Sequence, residues 1–219
     1  MTRKLNLPDG ARAPDTSGLM VAPSALRNLG PIVDVLVPRL PRRGDVLELA
    51  SGTGQHIAAL AVHRPDLTFH PTEPDPVRRA AIDARCQGLE NVAPAGDLDA
   101  CAPGWAIVEG ADAIVVVNLL HLISDAEMSI LLDEASRALA PGGLFAIYGP
   151  FLRDGVAVSE GDVQFDADLR AQDAAVGYKD VEVLRTVLSV LGFTFDAIEM
   201  PANNLMLLAR KAPDVRPPL

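Results

Sequence analysis

Residues 46–56 read Val-Leu-Glu-Leu-Ala-Ser-Gly-Thr-Gly-Gln-His, and the fold turns on this stretch. Val46 to Leu49 suits a buried strand, the glycine-bearing run suits a tight turn, and a helix is predicted from about Gln55 to His63. A strand that passes through a glycine loop into a helix opens a β-α-β unit. Glycines at that turn leave backbone atoms open to a ligand that a Cβ would shield.

The same alternation continues outward. Strands are expected at 67–72, 92–95, 113–117 and 144–148, with a helix at 76–86 after the first of them. The helix before the last of these strands is the most strongly marked. Ser124 and Glu127 form a capping box, Met128, Leu131, Leu132, Ala135 and Leu139 share one face, and Pro141-Gly142-Gly143 stops it. Val183, Leu184, Val187, Leu188 and Leu191 mark a further helix. The runs 193–200 and 205–210 follow, joined by a link too short for a crossover helix, so they should pair antiparallel. The pattern predicts an α/β domain on a mostly parallel sheet.

Two segments stand outside this plan. Residues 1–40 precede the first strand, with a helix broken or started near Gly30-Pro31. Residues 151–177 are polar and acidic, far longer than the usual connection of roughly 2 to 6 residues. They are expected to form a lid, pinned by Phe165 and Leu169, and residues 212–219 to fray.

The chain has 219 residues, which suits one domain, and its 49% hydrophobic content excludes disorder as the whole account. With 29 acidic against 19 basic residues, the net charge of -10 opposes a nucleic-acid partner. Cys86 and Cys101 have no zinc or disulfide spacing, and no window reads as a secretory signal or membrane span. These features predict a cytoplasmic protein. His56, His63 and His70 recur at even spacing, but His70 belongs to a strand, so no metal site is expected. Asp166, Asp168 and Asp173 are read as a solvated lid face.

The glycine loop narrows the ligand. It has no lysine after Gly54, as a phosphate-binding loop would, and Ile57 stands where a dinucleotide fingerprint has its third glycine. Glu48, at the strand end, would repel a diphosphate and suit a cation. S-adenosylmethionine (SAM) carries a sulfonium and an ammonium. Glu73 falls at the end of the next strand, where a carboxylate accepts both ribose hydroxyls. Asp97 follows the third strand, placed for the adenine amino group, with Leu98 beside the ring. Ala50, Ser51, Gly52, Thr53, Gly54 and His56 complete the expected cofactor wall, with Asn118 at the end of the fourth strand. Nearby, His121 and Tyr148 are candidate catalytic residues, His121 as a base near a hydroxyl. Arg27, Asn28, Arg153 and Arg170 could reach an acceptor, and the arginines hint at an anionic one.

The motifs VLELASGTGQH, FHPTEPDP, GDLD and NLLHLIS resemble a class I SAM-dependent methyltransferase. More narrowly, YGPFLRDG, FDADLRAQD and MPANNLMLLARK are similar to the methyltransferase-like 26 group, also described as domain of unknown function 938. The resemblance runs from about Ala22 to Lys211, with Ala50 in place of the first glycine of the general motif. It implies a Rossmann-like seven-stranded sheet with the last strand inserted antiparallel. It also implies a SAM site at Glu48, Gly52, Gly54, Glu73 and Asp97, the product being S-adenosylhomocysteine (SAH). The expected activity is methyl transfer to an oxygen or nitrogen of a small molecule. The alternatives are a SAM-binding or partner-regulating protein without catalysis and a nicotinamide-dependent (NAD) oxidoreductase.

Overall fold

The structure is a computed structural model that describes residues 5–8, 10–13, 15–17, 19–106 and 110–213. Its elements are α1 (Pro23–Leu36), β1 (Gly44–Leu49), α2 (Gln55–His63), β2 (Leu67–Pro71), α3 (Pro76–Cys86), β3 (Ala111–Val117), α4 (Asp125–Ala138), β4 (Leu139–Leu152), α5 (Glu160–Gln172), β5 (Lys179–Asp180), α6 (Val181–Val190), β6 (Phe193–Glu199) and β7 (Asn204–Lys211). The seven strands form one sheet in the order β2-β1-β3-β4-β7-β6, with β5 paired to the end of β4. Strands β2, β1, β3 and β4 are parallel. The last strand, β7, is inserted between β4 and β6 and runs antiparallel to both, the pairing with β6 as the short link demanded and the insertion as the resemblance implied.

Strand periodicity sorts the core into two layers. Leu47, Leu49, Ile114, Val116, Phe145 and Ile147 face α4 and α6. Val46, Ala113, Val115, Leu144 and Ala146 face the opposite way, onto Ile32 and Leu36 of α1, Ile57 and Leu60 of α2 and Ile82 of α3. Helices therefore cover both faces of the sheet, and the central strands β3 and β4 are apolar at nearly every position.

Several local expectations change. The run 92–95 is not a full strand; it touches β2 only through the bridges Phe69↔Val92 and Thr72↔Gly96. Pro94 lies between them and has no N–H to donate, which confines the run to a broken edge. Helix α1 continues through Gly30-Pro31 rather than breaking there. An internal proline costs about 3 kcal/mol. Burial of Ile32, Val33 and Leu36, at roughly 1.5–3 kcal/mol each, outweighs it. The fifth expected strand begins early, at Leu139, with a register shift that sets Ala111 opposite Leu139 and Ala113 opposite Leu144. The Pro141-Gly142-Gly143 stop forms this irregularity, with Gly142 at φ 79°.

The segment 151–177 begins as sheet, through Leu152, and then contains α5. Ser159 caps that helix by accepting from the Asp162 N–H, and Leu169 is its buried anchor. Around Leu169 a third apolar cluster gathers Val176 and Tyr178, with Leu5, Leu7, Leu122 and Phe165 packed against it. The N-terminal segment is bound to α5 by a reciprocal pair: the Asn6 N–H donates to Gln172 Oε1 at 2.7 Å, and Gln172 Nε2 donates to the Asn6 carbonyl at 3.3 Å. Most of the 212–219 tail lies outside the described residues. Among the described residues, no helix is long and apolar enough to cross a membrane.

Gly54 caps α2 at φ 74°, and a Cβ there would sit 3.1 Å from the Ile82 Cα of α3. Gly54→Ala should therefore destabilise the fold by about 1–3 kcal/mol in urea unfolding. A loss below about 0.5 kcal/mol would show that α3 yields without strain.

Candidate functional site

Parallel strands carry their C-terminal ends to one edge of the sheet, and a cavity of about 980 Å³ lies there. That volume is at the top of the range for small-ligand pockets, enough for two molecules side by side. The turn after β1 forms one wall. Its backbone takes left-handed angles at Ala50 (φ 51°), Gly52 (φ 60°) and Gly54 (φ 74°). Gly52 lines the cavity, and no protein atom comes closer than 3.9 Å to where its Cβ would stand. Gly54 is instead used for packing against α3, so the two glycines answer different constraints. Ala50, Ser51, Thr53 and His56 also line the cavity.

Glu48 and Glu73 are both buried on this wall, at 2% and 3% exposure. Burial pushes the Glu48 carboxyl up to about 8, the Ser51 hydroxyl opposes the rise and the charge of Glu73 adds to it. Its Oε2 has no hydrogen-bond partner. A buried carboxyl oxygen without a partner is costly, and a cationic ligand in the cavity is the group that would satisfy it. Glu73 is held differently. Its Oε2 accepts the Gly52 N–H at 3.0 Å, its Oε1 accepts the Asp75 N–H at 3.2 Å, and Arg78 lies 3.9 Å away. Burial raises the Glu73 carboxyl too, against the pull of Arg78 and these N–H groups.

Asp97 and Leu98 do not reach the cavity. The Asp97 side chain is 72% exposed and pairs with Arg79 at 3.0 Å, while Leu98 packs toward the core. The wall expected from them is built by Asp99, Ala100 and Cys101. Asp99 accepts the Cys101 N–H at 2.9 Å, which folds the turn inward.

Farther along the sheet edge, Asn118 (φ 55°) donates its N–H to the Tyr148 carbonyl at 2.8 Å, tying the ends of β3 and β4 together. His56 Nε2 lies 2.8 Å from Asn28 Oδ1, and Asn28 in turn hydrogen-bonds the Tyr148 side chain. Burial raises the Tyr148 phenol and lowers the His56 imidazole to about 4, so His56 is uncharged at neutral pH. His121, in the 3₁₀ turn Leu120–Leu122, is also lowered to about 4, first by burial and then by the Lys179 ammonium, with Asp166 opposing. Its ring stands 5.9 Å from Phe165 and 6.1 Å from Tyr178, centroid to centroid, and those two are 6.1 Å apart. All three rings line the cavity.

Of the arginines expected at an acceptor, only Arg27 lines the cavity, from an exposed position. Arg153 is drawn to Glu199 at 2.7 Å, and Arg170 to Asp166 at 2.9 Å. The sequence reading missed Leu5, Leu7, Asp162, Phe165 as a wall residue, and Tyr178. The amphipathic anchor pair Phe165 and Leu169 was the only signal available, because the N-terminal contacts are with residues far along the chain. Among the described residues, no group of three or more His, Cys, Asp or Glu side chains could hold a metal ion.

The chain is similar in fold to several solved structures. An O-methyltransferase family protein from Burkholderia thailandensis superposes with a TM-score of 0.75 and 17% identity, covering 87% of this chain and 58% of that one. Human N-acetylserotonin methyltransferase in complex with SAM gives 0.73 and 17%, covering 87% and 53%. PigF with SAH gives 0.69 and 17%, covering 85% and 57%. The chain thus spans somewhat over half the length of these proteins, and the likeness establishes the methyltransferase-type Rossmann-like fold. Residues 19–211 match a family described as protein of unknown function (DUF938), and with nearly the whole chain covered, the protein belongs to that family.

Proposed function

We propose that the protein is a SAM-dependent methyltransferase that methylates an oxygen of a small molecule. The observation that carries this reading is the buried, unpartnered Glu48 Oε2 on the cavity wall. A cation such as the ammonium of SAM would draw off its proton and pair with it, whereas the diphosphate of a nicotinamide cofactor would not. The ligands held by two of the similar structures, SAM and SAH, support the same choice.

The chain's residues then divide the work. Glu48 takes the ammonium. Glu73, fixed by two backbone N–H groups, accepts the ribose hydroxyls. Gly52 lets the ligand approach the loop, and residues 99–101 close the adenine side. Bound SAM would supply an already activated sulfonium methyl, and His121 would take the proton that the acceptor hydroxyl gives up. The protein's task is orientation more than activation. Uncharged His121 has the free lone pair that proton needs.

Calorimetry with SAM, SAH and NAD tests the reading. No binding of SAM or SAH at millimolar concentration, with NAD bound, would overturn it. SAH formation with a true acceptor separates a catalyst from a protein that only holds SAM. The pH dependence follows from Glu48. Without ligand the carboxyl keeps its proton up to about pH 8, and the cation must displace that proton. SAM affinity should therefore rise with pH, by up to about tenfold per unit, and level off above the free carboxyl's titration. Glu48→Gln should bind more weakly and flatten that profile; an unchanged slope would remove Glu48 from the ammonium. Glu73→Ala should weaken SAM binding by about tenfold or more without unfolding the protein. His121→Ala should keep SAM affinity within about twofold and lower turnover by about 10²–10⁴, and full turnover would reduce it to scaffold.

A further inference from the structure

The cavity has two chemically different ends. Carboxylates wall the first, and rings wall the second, where His121, Phe165 and Tyr178 meet with Leu5, Leu7 and Leu122 around them. We infer that the methyl acceptor is an uncharged planar ring bearing a hydroxyl, a phenol rather than a carboxylate, phosphate or aliphatic alcohol, held among His121, Phe165 and Tyr178. This rests on the methyltransferase reading above and specifies its substrate class.

Shape and charge both carry it. The three rings meet tilted or edge-on, at interplanar angles of 58°, 71° and 73°. Such an array presents edges and faces that a flat ring can join. Among the described residues, the cations nearest this end are paired with acids or exposed. Arg153 and Arg170 are paired with Glu199 and Asp166, and Lys179 Nζ lies 2.8 Å from Asp125. Arg27 stands at an exposed position, where water screens it. The acids at this end add repulsion. Asp162 lines the cavity while accepting from Tyr178, Ser159 and Asn203, and Glu127 lines it from the capping box of α4.

The proton balance points the same way. An imidazole lowered to about 4 is a weak base. A phenol, with a pKa of about 10, gives up its proton far more readily than an aliphatic hydroxyl, which resembles water at about 15.7. Between the two hydroxyls, the phenol asks less of the weak base that the site offers.

The test uses the full chain loaded with SAH and three probes: 2-naphthol, 2-naphthoate and decahydro-2-naphthol. Their binding is followed by calorimetry, and 2-naphthol also by its own fluorescence. We expect 2-naphthol to bind at least about tenfold more tightly than either of the others. Phe165→Leu, which keeps apolar volume and removes the ring, should weaken 2-naphthol by about fivefold or more at an unchanged Tm. Should that variant fail to fold, Tyr178→Leu gives the same readout on the second ring. Naphthoate binding as tightly as naphthol, saturated and planar probes binding alike, or affinity indifferent to the ring variants would each overturn the acceptor class. In those cases SAH still binds and the methyltransferase reading stands. Failure of SAM and SAH to bind would bring down both.

Discussion

The parallel hydrogen-bond ladder through β2, β1, β3 and β4 is the constraint on which the site depends. Glu48 is registered against Pro71 on one side and Val115 on the other, and Val115 against Ala146. The strands therefore end together, and their outgoing turns are forced into a single row. The ladder also outlasts the strands. The Thr72 N–H donates to the Glu48 carbonyl at 2.9 Å, and the Ser51 N–H donates to the Thr72 carbonyl at 2.8 Å. Two more rungs thus stitch the glycine loop to the chain just before Glu73. The Glu73 carboxylate can reach the Gly52 N–H only because of that stitching. Between them, the backbone bonds place both carboxylates before any side chain contributes.

The same constraint stores a cost at the site. Glu48 is buried by position, as the inward residue at the end of a strand that apolar layers enclose on both faces. Its carboxyl keeps a proton in preference to a charge, and one oxygen has no partner. Ala50 and Asn118 add left-handed backbone angles that residues with a Cβ adopt reluctantly. Each of these is unfavourable alone, and the two hydrophobic layers hold them in place. A ligand that brings positive charge against Glu48 would exchange a proton for a cation and relieve the largest of them.

What could be read from the chain follows the range of the interactions concerned. Strand, loop and helix after Val46 were legible because periodicity and glycines act locally, and the capping box of α4 was legible for the same reason. The antiparallel pairing of β7 with β6 followed from the length of one link. Side-chain partners distant in sequence were not legible. Arg153 meets Glu199 across 46 residues, and Asn6 meets Gln172 across 166. An arginine assigned to a ligand by its position can be captured by such a carboxylate, and Arg153 was. Helix α5 was hard to see for another reason: it buries fully only Leu169, so its pattern carries almost no apolar face. Asp97 shows the limit of motif transfer, since the exposed Arg79 pair turns it outward while Asp99 takes the wall.

The two ends of the cavity differ in how firmly they are built, and that difference bears on what each can do. The carboxylate end belongs to the sheet, so the backbone ladder that organises the fold also fixes its geometry. At the ring end, Phe165 comes from α5, Tyr178 from the residue before β5, and Leu5 and Leu7 from the N-terminal segment. Their shared anchor is one small apolar cluster, tied in by hydrogen bonds such as the Asn6–Gln172 pair and those from Tyr178 to Asp162 and Asp166. That cluster encloses far fewer apolar residues than the two layers on the sheet, and segments with less buried contact open at lower free energy. His121 sits at the junction: its own turn follows β3, and its carbonyl accepts the Gly177 N–H at 3.1 Å, so the ring cover is tied directly to the turn that carries His121. Because its side chains come from outside the parallel strands, the aromatic wall can change in sequence without disturbing the strand ends.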